Sequence, residues 1–535
     1  MKTIKYFLTI CIGIFAITSC TKQLDDAYLN PNAPLAEDLK PSDLFPPLGY
    51  QMALNLQDDN RYIGLYSQVF GYRLTWAPGS TDAFAYFDKM GYRPGVDNSG
   101  AIWRMHYFNL GQNLNVMIDK AVAANQWDYA GAGYAIRAWS WLTTTDYHGE
   151  VVLKEAFNTQ KTDFKYDPQD LVYDTVRKIC RQAIESLDKP VSGGDFAAAD
   201  QWLYGGDKNK WKKFVYGILA RSFHHLTNKS SYNADSVIFY CDKAMQVPSE
   251  DLTYKFVGGI VNNQNNFYGQ FRVNIANFRQ SRMIAELMKG NTPTFPGVDD
   301  PRRWYMLTTA PDGVTMNGYL PVSGEGQYAT TARPNNFWGH TATPTADTAR
   351  FIFRNNADFP MMTSSEIQFM KSEAAFRKGN KALALSAYKN GISQHFDMLL
   401  EKYNVNIRPS TVMTTATRDA FLLNTAVVPA SPASLTLSMI MQQKFIALWG
   451  YGVLETWTDM RRYHYTDTDA DTGFPVYRSF TPVAIQDLFS DNASKMAYRV
   501  RPRYNSEYVW NLANLAAVGG DKTDYHTFEM WFSKP

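Results

Sequence analysis

The sequence predicts a mostly α-helical protein, a helical-repeat scaffold that carries a long loop-rich face. Three observations lead there. Apolar residues recur at the 3.6-residue helical period in several segments, most cleanly from Pro168 to Leu187 and from Lys210 to Leu226. Two helix–turn–helix stretches, at about 364–396 and more loosely from Trp211 to Ala244, have the spacing of a repeat unit. Between them, residues 248–360 are Asn-rich and broken by Gly and Pro, with Tyr, Phe and Trp in loops. A loop region that long inside a compact chain is usually functional.

At the start of the chain, Lys2 and Lys5 precede an apolar run from Phe7 to Ile17, which is too short to span a bilayer. Thr18 and Ser19 follow, then Cys20, the order of a bacterial lipoprotein signal. Residues 1–19 are therefore expected to be a cleaved signal peptide and Cys20 to be lipidated. Residues 20–47 are expected to form a polar tether, because Pro31, Pro34, Pro41, Pro46 and Pro47 argue against helix. Residues 48–535 then form a single domain.

Helical periodicity begins near Asp43 and breaks in an aromatic, Gly-rich stretch from Trp76 to Gly100. Helices are expected over about 101–124, 128–147, 168–187 and 210–226, with a short one through Val237, Cys241 and Ala244; together they make the first repeat region, about 101–246. Thr363 and Glu366 form a capping box for a helix over about 364–378. Gly379 turns the chain into a helix over about 381–396, where Ala384 and Gly391 allow a close crossing and Tyr388 fills the groove. That pattern is a tetratricopeptide-like unit. Residues 401–433 read as polar linker, 434–449 and 452–463 as a final helix pair, and the rest as a loop-rich tail.

Composition narrows the function. Lys plus Arg number 53 against 51 for Asp plus Glu. Losing Lys2 and Lys5 with the signal balances the charges, so nothing electrostatic argues for nucleic acid. Cys180 and Cys241 sit at apolar helical positions and read as buried free thiols. Aromatic residues make up 15% of the chain, a density that suits stacking on flat ligand faces.

The sequence has no nucleotide, zinc-protease or serine-hydrolase motif. His224 and His225 are neighbours on a helix and point to different sides, which is wrong for chelation. Asp467, Asp469 and Asp471 alternate as in a calcium loop, but Gly473 and Arg478 fall where an EF-hand needs other residues. A weak surface calcium ion is all that stretch could hold, and no cofactor is otherwise expected. Asp58-Asp59, Glu150 and Asp299-Asp300 could serve a glycoside hydrolase, yet none stands in a recognisable acid–base arrangement. Glu455, Asp459 and Arg462 have the spacing of ion pairs within one helix.

Several blocks resemble one known family. Ile440-Met-Gln-Gln443-Lys444 through Gly450 and Trp457 to Arg462 is similar to the C-terminal helix pair of SusD/RagB outer-membrane lipoproteins. Asn30-Pro31-Asn32-Ala33-Pro34, Asp146-Tyr-His-Gly149, Trp211 to Arg221, Asp300-Pro301-Arg302, Phe359 to Ala375 and Arg501-Pro-Arg503-Tyr504 agree in order. One departure is Asn505, where members often have Pro after the aromatic residue.

The resemblance implies a SusD-like α–α superhelix of about four tetratricopeptide-like units. It also implies non-catalytic capture of oligosaccharide at the cell surface, as the lid of a SusC-like TonB-dependent transporter. The protein would be held at the outer membrane, facing outward, by the lipid on Cys20; Asp25-Asp26 resemble an outward-sorting signal. The alternatives are a lipoprotein enzyme of the glycoside-hydrolase type, or a binder of peptide or another nutrient. Ligand contacts in the family tend to fall in loops corresponding to 72–92 and 291–340. The expected ligand-binding residues are Arg73, Trp76, Tyr86 and Tyr92 from the first loop. From the second they are Tyr319, Asn335, Asn336, Phe337 and Trp338. Rings stack on a sugar's apolar face while Arg and Asn meet its hydroxyls.

Changing Cys20 to Ala is expected to leave folding and ligand binding intact and to abolish surface retention. Cell fractionation and surface labelling, with a binding assay on the released protein, check this; loss of binding would contradict it.

Overall fold

A computed structural model describes residues 38–190, 193–257 and 265–535. The signal, Cys20 and most of the tether lie outside these residues. The tether expected to run to Pro47 is already helical before it ends. A short helix spans Pro41–Leu44, and α1 (Pro46–Tyr66) follows directly. Pro41, Pro46 and Pro47 stand in first turns, where a missing N–H costs no intrahelical bond, so they start helices here.

The segment expected as one helix at 101–124 is interrupted. Ala101–Arg104 is α-helical, Met105–Leu110 forms a π-turn, and α2 (Gly111–Ala123) resumes beyond it. Then come α3 (Trp127–His148), α4 (Gln169–Asp188), α5 (Lys208–His224) and α6 (Ala234–Lys243). Within the loop region stands α7 (Arg282–Lys289); after it come α8 (Ser364–Arg377) and α9 (Lys381–Lys402). The expected polar linker holds a helix, α10 (Thr415–Leu422), that buries Phe421 against Phe396 with ring centroids 5.2 Å apart. Its two adjacent buried residues, Phe421 and Leu422, were too few to show a helical period. The final pair is α11 (Leu437–Leu448) and α12 (Val453–Arg462).

Helices pack on their chain neighbours, α3 on α4, α5 on α6 and α8 on α9, and α6 packs on α8 to join the two repeat regions. The α8–α9 unit shows why these residues make a repeat. Gly379 takes φ +83° and sends its N–H to Phe376 O, while Asn380 sends its own to Ala375 O and caps α9 through Leu383 N. A Cβ on Gly391 would stand 2.9 Å from the Phe369 ring. Tyr388 is fully buried between the two helices. Thr363 caps α8 as expected, but Glu366 does not complete the box; it turns inward to Arg221.

That inward turn belongs to a buried ionic network. Arg221 of α5 binds both oxygens of Glu366 of α8, at 2.5 and 2.7 Å. Glu373 of α8 receives Arg462 of α12 and His224 of α5. Lys444 of α11 bridges Glu455 and Asp459 of α12, at 3.1 and 2.7 Å. His225 lies between Glu455 and Asp146 of α3, at 3.0 and 3.2 Å. The two histidines do face different partners. Arg462 pairs with Asp459 as the helical spacing predicts, but Glu455 pairs with other helices. Cys180 and Cys241 are buried and free, and burial pushes both thiols up.

Strands are short. β1 (Phe70–Tyr72) pairs antiparallel with β3 (Phe278–Gln280), and β2 (Leu252–Tyr254) with β4 (Phe359–Met362). They anchor the ends of loops to the helices. Among the described residues no helix is long and apolar enough to cross a membrane.

Burial alone would lower the pKa of His225, but Glu455 and Asp146 outweigh it and raise it to about 9. The folded state thus keeps a proton that the unfolded chain loses near pH 6.5. The stability this confers is complete below pH 6.5 and is lost as pH rises through about 9, a change of about 3 kcal/mol. In His225→Gln, urea titrations from pH 6 to 9.5 should show a markedly shallower decline than in the parent.

Candidate ligand-binding face

The first predicted loop leaves β1 and is shaped by its own side chains. Asp82 caps the short helix Ala83–Phe87 through Phe84 N, and Tyr72 donates to Asp82 at 2.6 Å. The result is a row of half-buried rings. Trp76 meets Tyr86 edge-on with centroids 6.1 Å apart, Tyr86 meets Phe489 at 5.2 Å, and Phe489 meets Tyr92 at 6.0 Å. Cations flank the row: Lys89 Nζ lies 5.3 Å from the Trp76 ring, and the Arg501 guanidinium 3.9 Å from that of Tyr92. Trp76, Tyr86 and Tyr92 are thus brought together, joined by a residue of the tail.

Arg73 instead reaches the second loop, pairing at 3.0 Å with Glu325, which also pairs with Arg333. Val322 N donates to Asp88, whose carboxyl burial raises to about 7. The two loops meet, but not through the second-loop residues expected.

Those residues lie in the core. Phe337 stacks on Phe353 at 4.0 Å, nearly parallel, and packs on Trp449. Trp338 is 1% exposed, and Tyr319 is buried under Gly71, where a Cβ would stand 2.8 Å away. Asn336 accepts from Trp338 N in a local turn, and Asn335 N donates across the loop region to Thr309 O. An Asn-, Gly- and Pro-rich run suggests exposure, yet this run folds back so that Phe337 packs against Phe70 of β1 and Trp449. Tyr319, Asn335, Asn336, Phe337 and Trp338 are thus all buried, apart from the aromatic row, and Trp338 lines a separate cavity of about 400 Å³ with Trp304 and Arg350.

Beside Tyr92 a cavity of about 390 Å³ opens between residues 92–99 and the tail, lined by Arg93, Arg501, Tyr504, Tyr508 and His526 among others. Tyr504 and Tyr508 stack with centroids 5.5 Å apart. Arg501 Nε and Asn98 Nδ2 are buried here without a hydrogen-bond partner among the described residues. Sequence reasoning missed Phe489, Arg501 and His526. Their only signal was the Arg501-Pro-Arg503-Tyr504 block, which marks a family resemblance without marking a site.

Asn505 explains its own departure from the family pattern. Its N–H and Nδ2 both donate to Asp97 at 2.7 Å, and Arg503 joins them at 2.6 Å. A proline has no N–H to give.

The other candidate groups are engaged elsewhere. Asp58 pairs with Arg61, Glu150 with Arg499, Asp299 with Arg303 and Asp300 with Arg302. Asp59 is raised to about 8, by burial first and then by Asp58, and it caps the helix at Ile102. The cavity that Asp58, Asp59 and Asp97 line is only about 100 Å³, well below the size of ordinary ligand sites. Asp467, Asp469 and Asp471 diverge to His464, Ser438 N and Lys381, so no calcium cradle forms from them. Two clusters, His224 with His225 and Glu455, and His224 with Glu373 and Asp459, have metal-like spacing, but both lie inside the buried ionic network.

A sequence profile of the SusD-like family described as "Starch-binding associating with outer membrane" matches residues 32–475. The chain belongs to that family. Similar solved structures include a SusD/RagB family protein from Bacteroides thetaiotaomicron, 20% identical, with a TM-score of 0.68 over 93% of this chain and 99% of that one. A SusD homolog from Bacteroides fragilis is 18% identical, with a TM-score of 0.69 over 93% and 100%. A chitin-binding SusD homolog from Flavobacterium johnsoniae is 16% identical, with a TM-score of 0.63 over 92% and 98%. At these identities the likeness is one of fold. No curated protein matches the chain in sequence.

Asp97→Ala removes three hydrogen bonds from the turn at 503–508 and should cost about 1–3 kcal/mol of local stability. Hydrogen–deuterium exchange is expected to quicken in residues 503–508, with protection of α8 and α9 unchanged.

Proposed function

We propose that this protein binds oligosaccharide at the cell surface without cleaving it and passes it to a TonB-dependent transporter for which it serves as lid. The observation that carries the reading is the row Trp76–Tyr86–Phe489–Tyr92, half-exposed on a loop-rich face with Lys89 and Arg501 at its edges. Sugar rings offer apolar faces to such rings and hydroxyls to the flanking cations and the unpartnered groups beside Tyr92. Membership of a family described as starch-binding and associated with the outer membrane supports the same reading. So does the chitin-binding homolog that shares the fold. The candidate carboxylates favour binding over hydrolysis, since each is tied to an arginine or sits in a cavity too small for a sugar. The lipid on Cys20 would hold the protein at the membrane.

Calorimetry of the purified protein against a panel of oligosaccharides should find at least one ligand. Trp76→Ala should weaken it about tenfold, the worth of one stacked ring. Binding to no glycan would turn the reading to peptides or other nutrients, and glycan cleavage would refute it. Purification in mild detergent should bring down an outer-membrane transporter.

A further inference from the structure

We propose that a second cleft, separate from the aromatic row, binds a phenolic ring. It lies between two π-turns, Met105–Leu110 on one wall and Tyr504–Tyr508 on the other. Such turns are rare and recur at functional sites, because the extra residue re-aims side chains. The cleft encloses about 610 Å³, within the range of small-molecule sites. Trp103, Tyr107, Phe108, Phe157 and Phe164 line it. Trp103 and Tyr107 are 4.7 Å apart and Tyr107 and Phe157 6.1 Å, so the rings form continuous walls. Phe108 stands at the cleft 76% exposed, a large apolar ring left in water. Phe157 holds φ +64°, a left-handed conformation that a bulky residue seldom adopts.

The polar group that selects the ligand is Glu507. It lines the cleft and is 7% exposed. Both side-chain hydrogen bonds that reach its carboxylate, from Tyr166 Oη at 2.6 Å and Asn511 Nδ2 at 2.9 Å, go to Oε2. Oε1 receives none from the described residues and stays available as an acceptor. A ring between aromatic walls, with one hydroxyl aimed at that oxygen, satisfies the site. An alkyl chain would leave Oε1 unsatisfied and would make no use of the flat walls. Hydroxycinnamoyl groups, which decorate many polysaccharides as esters, have this chemistry, and the open mouth leaves room for what they are attached to.

None of the four rings of the aromatic row lines this cleft, so the proposal stands or falls apart from the glycan reading. The test is calorimetry of the purified protein with methyl 4-hydroxycinnamate and with its 4-methoxy analogue, which cannot donate. Saturable binding of the phenol is expected, about tenfold tighter than the methoxy ester for a hydrogen bond to a charged group. Phe108→Ala, a change at an exposed side chain, should weaken the phenol about tenfold, while Trp76→Ala leaves it unchanged. Absence of saturable binding, equal affinity for the two esters, or indifference to Phe108→Ala would overturn the proposal.

Discussion

The constraint on which the rest of the structure depends is the buried ionic network at the junction of the two repeat regions and the C-terminal helix pair. Its members come from α3, α5, α8, α11 and α12, and each acidic group meets a cation on another helix. Such networks add little net stability over apolar packing, because desolvating the charges offsets most of their attraction. What they impose is register. A helix that slid or rotated would strand a charge in the interior, at a cost of several kcal/mol. His224 is lowered to about 4, by burial and then by Arg462, so it serves as a neutral donor to Glu373. His225, held between two carboxylates, is a cation. Adjacent histidines in opposite states show how closely the charges are matched.

The network reaches the binding face through one further residue. Arg462 faces the network, and its neighbour Arg461 points the other way, donating to Asp146 O at 2.7 Å and to Tyr498 O at 3.0 Å. Tyr498 opens the tail segment that carries Arg499, Arg501 and Arg503. Arg499 then donates to Phe528 O and binds Glu150, while Arg501 reaches Gly520 O and Tyr508. A tail with little regular structure is thus tied down by arginines that donate to backbone carbonyls. The rings from residues 76–92 and from the tail, far apart in sequence, are thus fixed to one frame.

How much of this could be read from the sequence follows from how local each cause is. Gly379-Asn380 announces a turn because the left-handed glycine and the Asn cap act within five residues, and the repeat built on it is where the period placed it. The same holds for Trp76, Tyr86 and Tyr92, held by a short loop with its own cap. Phe337 and Trp338 have the same composition around them but a fate decided by Phe353 and Trp449, contacts that no local pattern encodes. Glu366 looked like half of a capping box because its partner across the core, Arg221, is 145 residues away. Phe489 joins the row only because the tail returns to Lys89, where its N–H donates to the carbonyl at 3.0 Å.

The two π-turns are the least legible feature of the fold. In each, one extra residue per turn breaks the helical period on which sequence reading relies, so Met105–Leu110 reads as ordinary helix and Tyr504–Tyr508 as loop. The physical effect is to split one short segment between two environments. Met105, His106 and Leu110 stay buried, while Phe108 is driven outward. Across the cleft, Tyr504 and Tyr508 face the cavity beside Tyr92, while Ser506 and Glu507 face the other side. The second turn is therefore a partition between two pockets, pinned at its start by Asp97. Asn505 in place of proline makes that wall firmer by one backbone and one side-chain hydrogen bond.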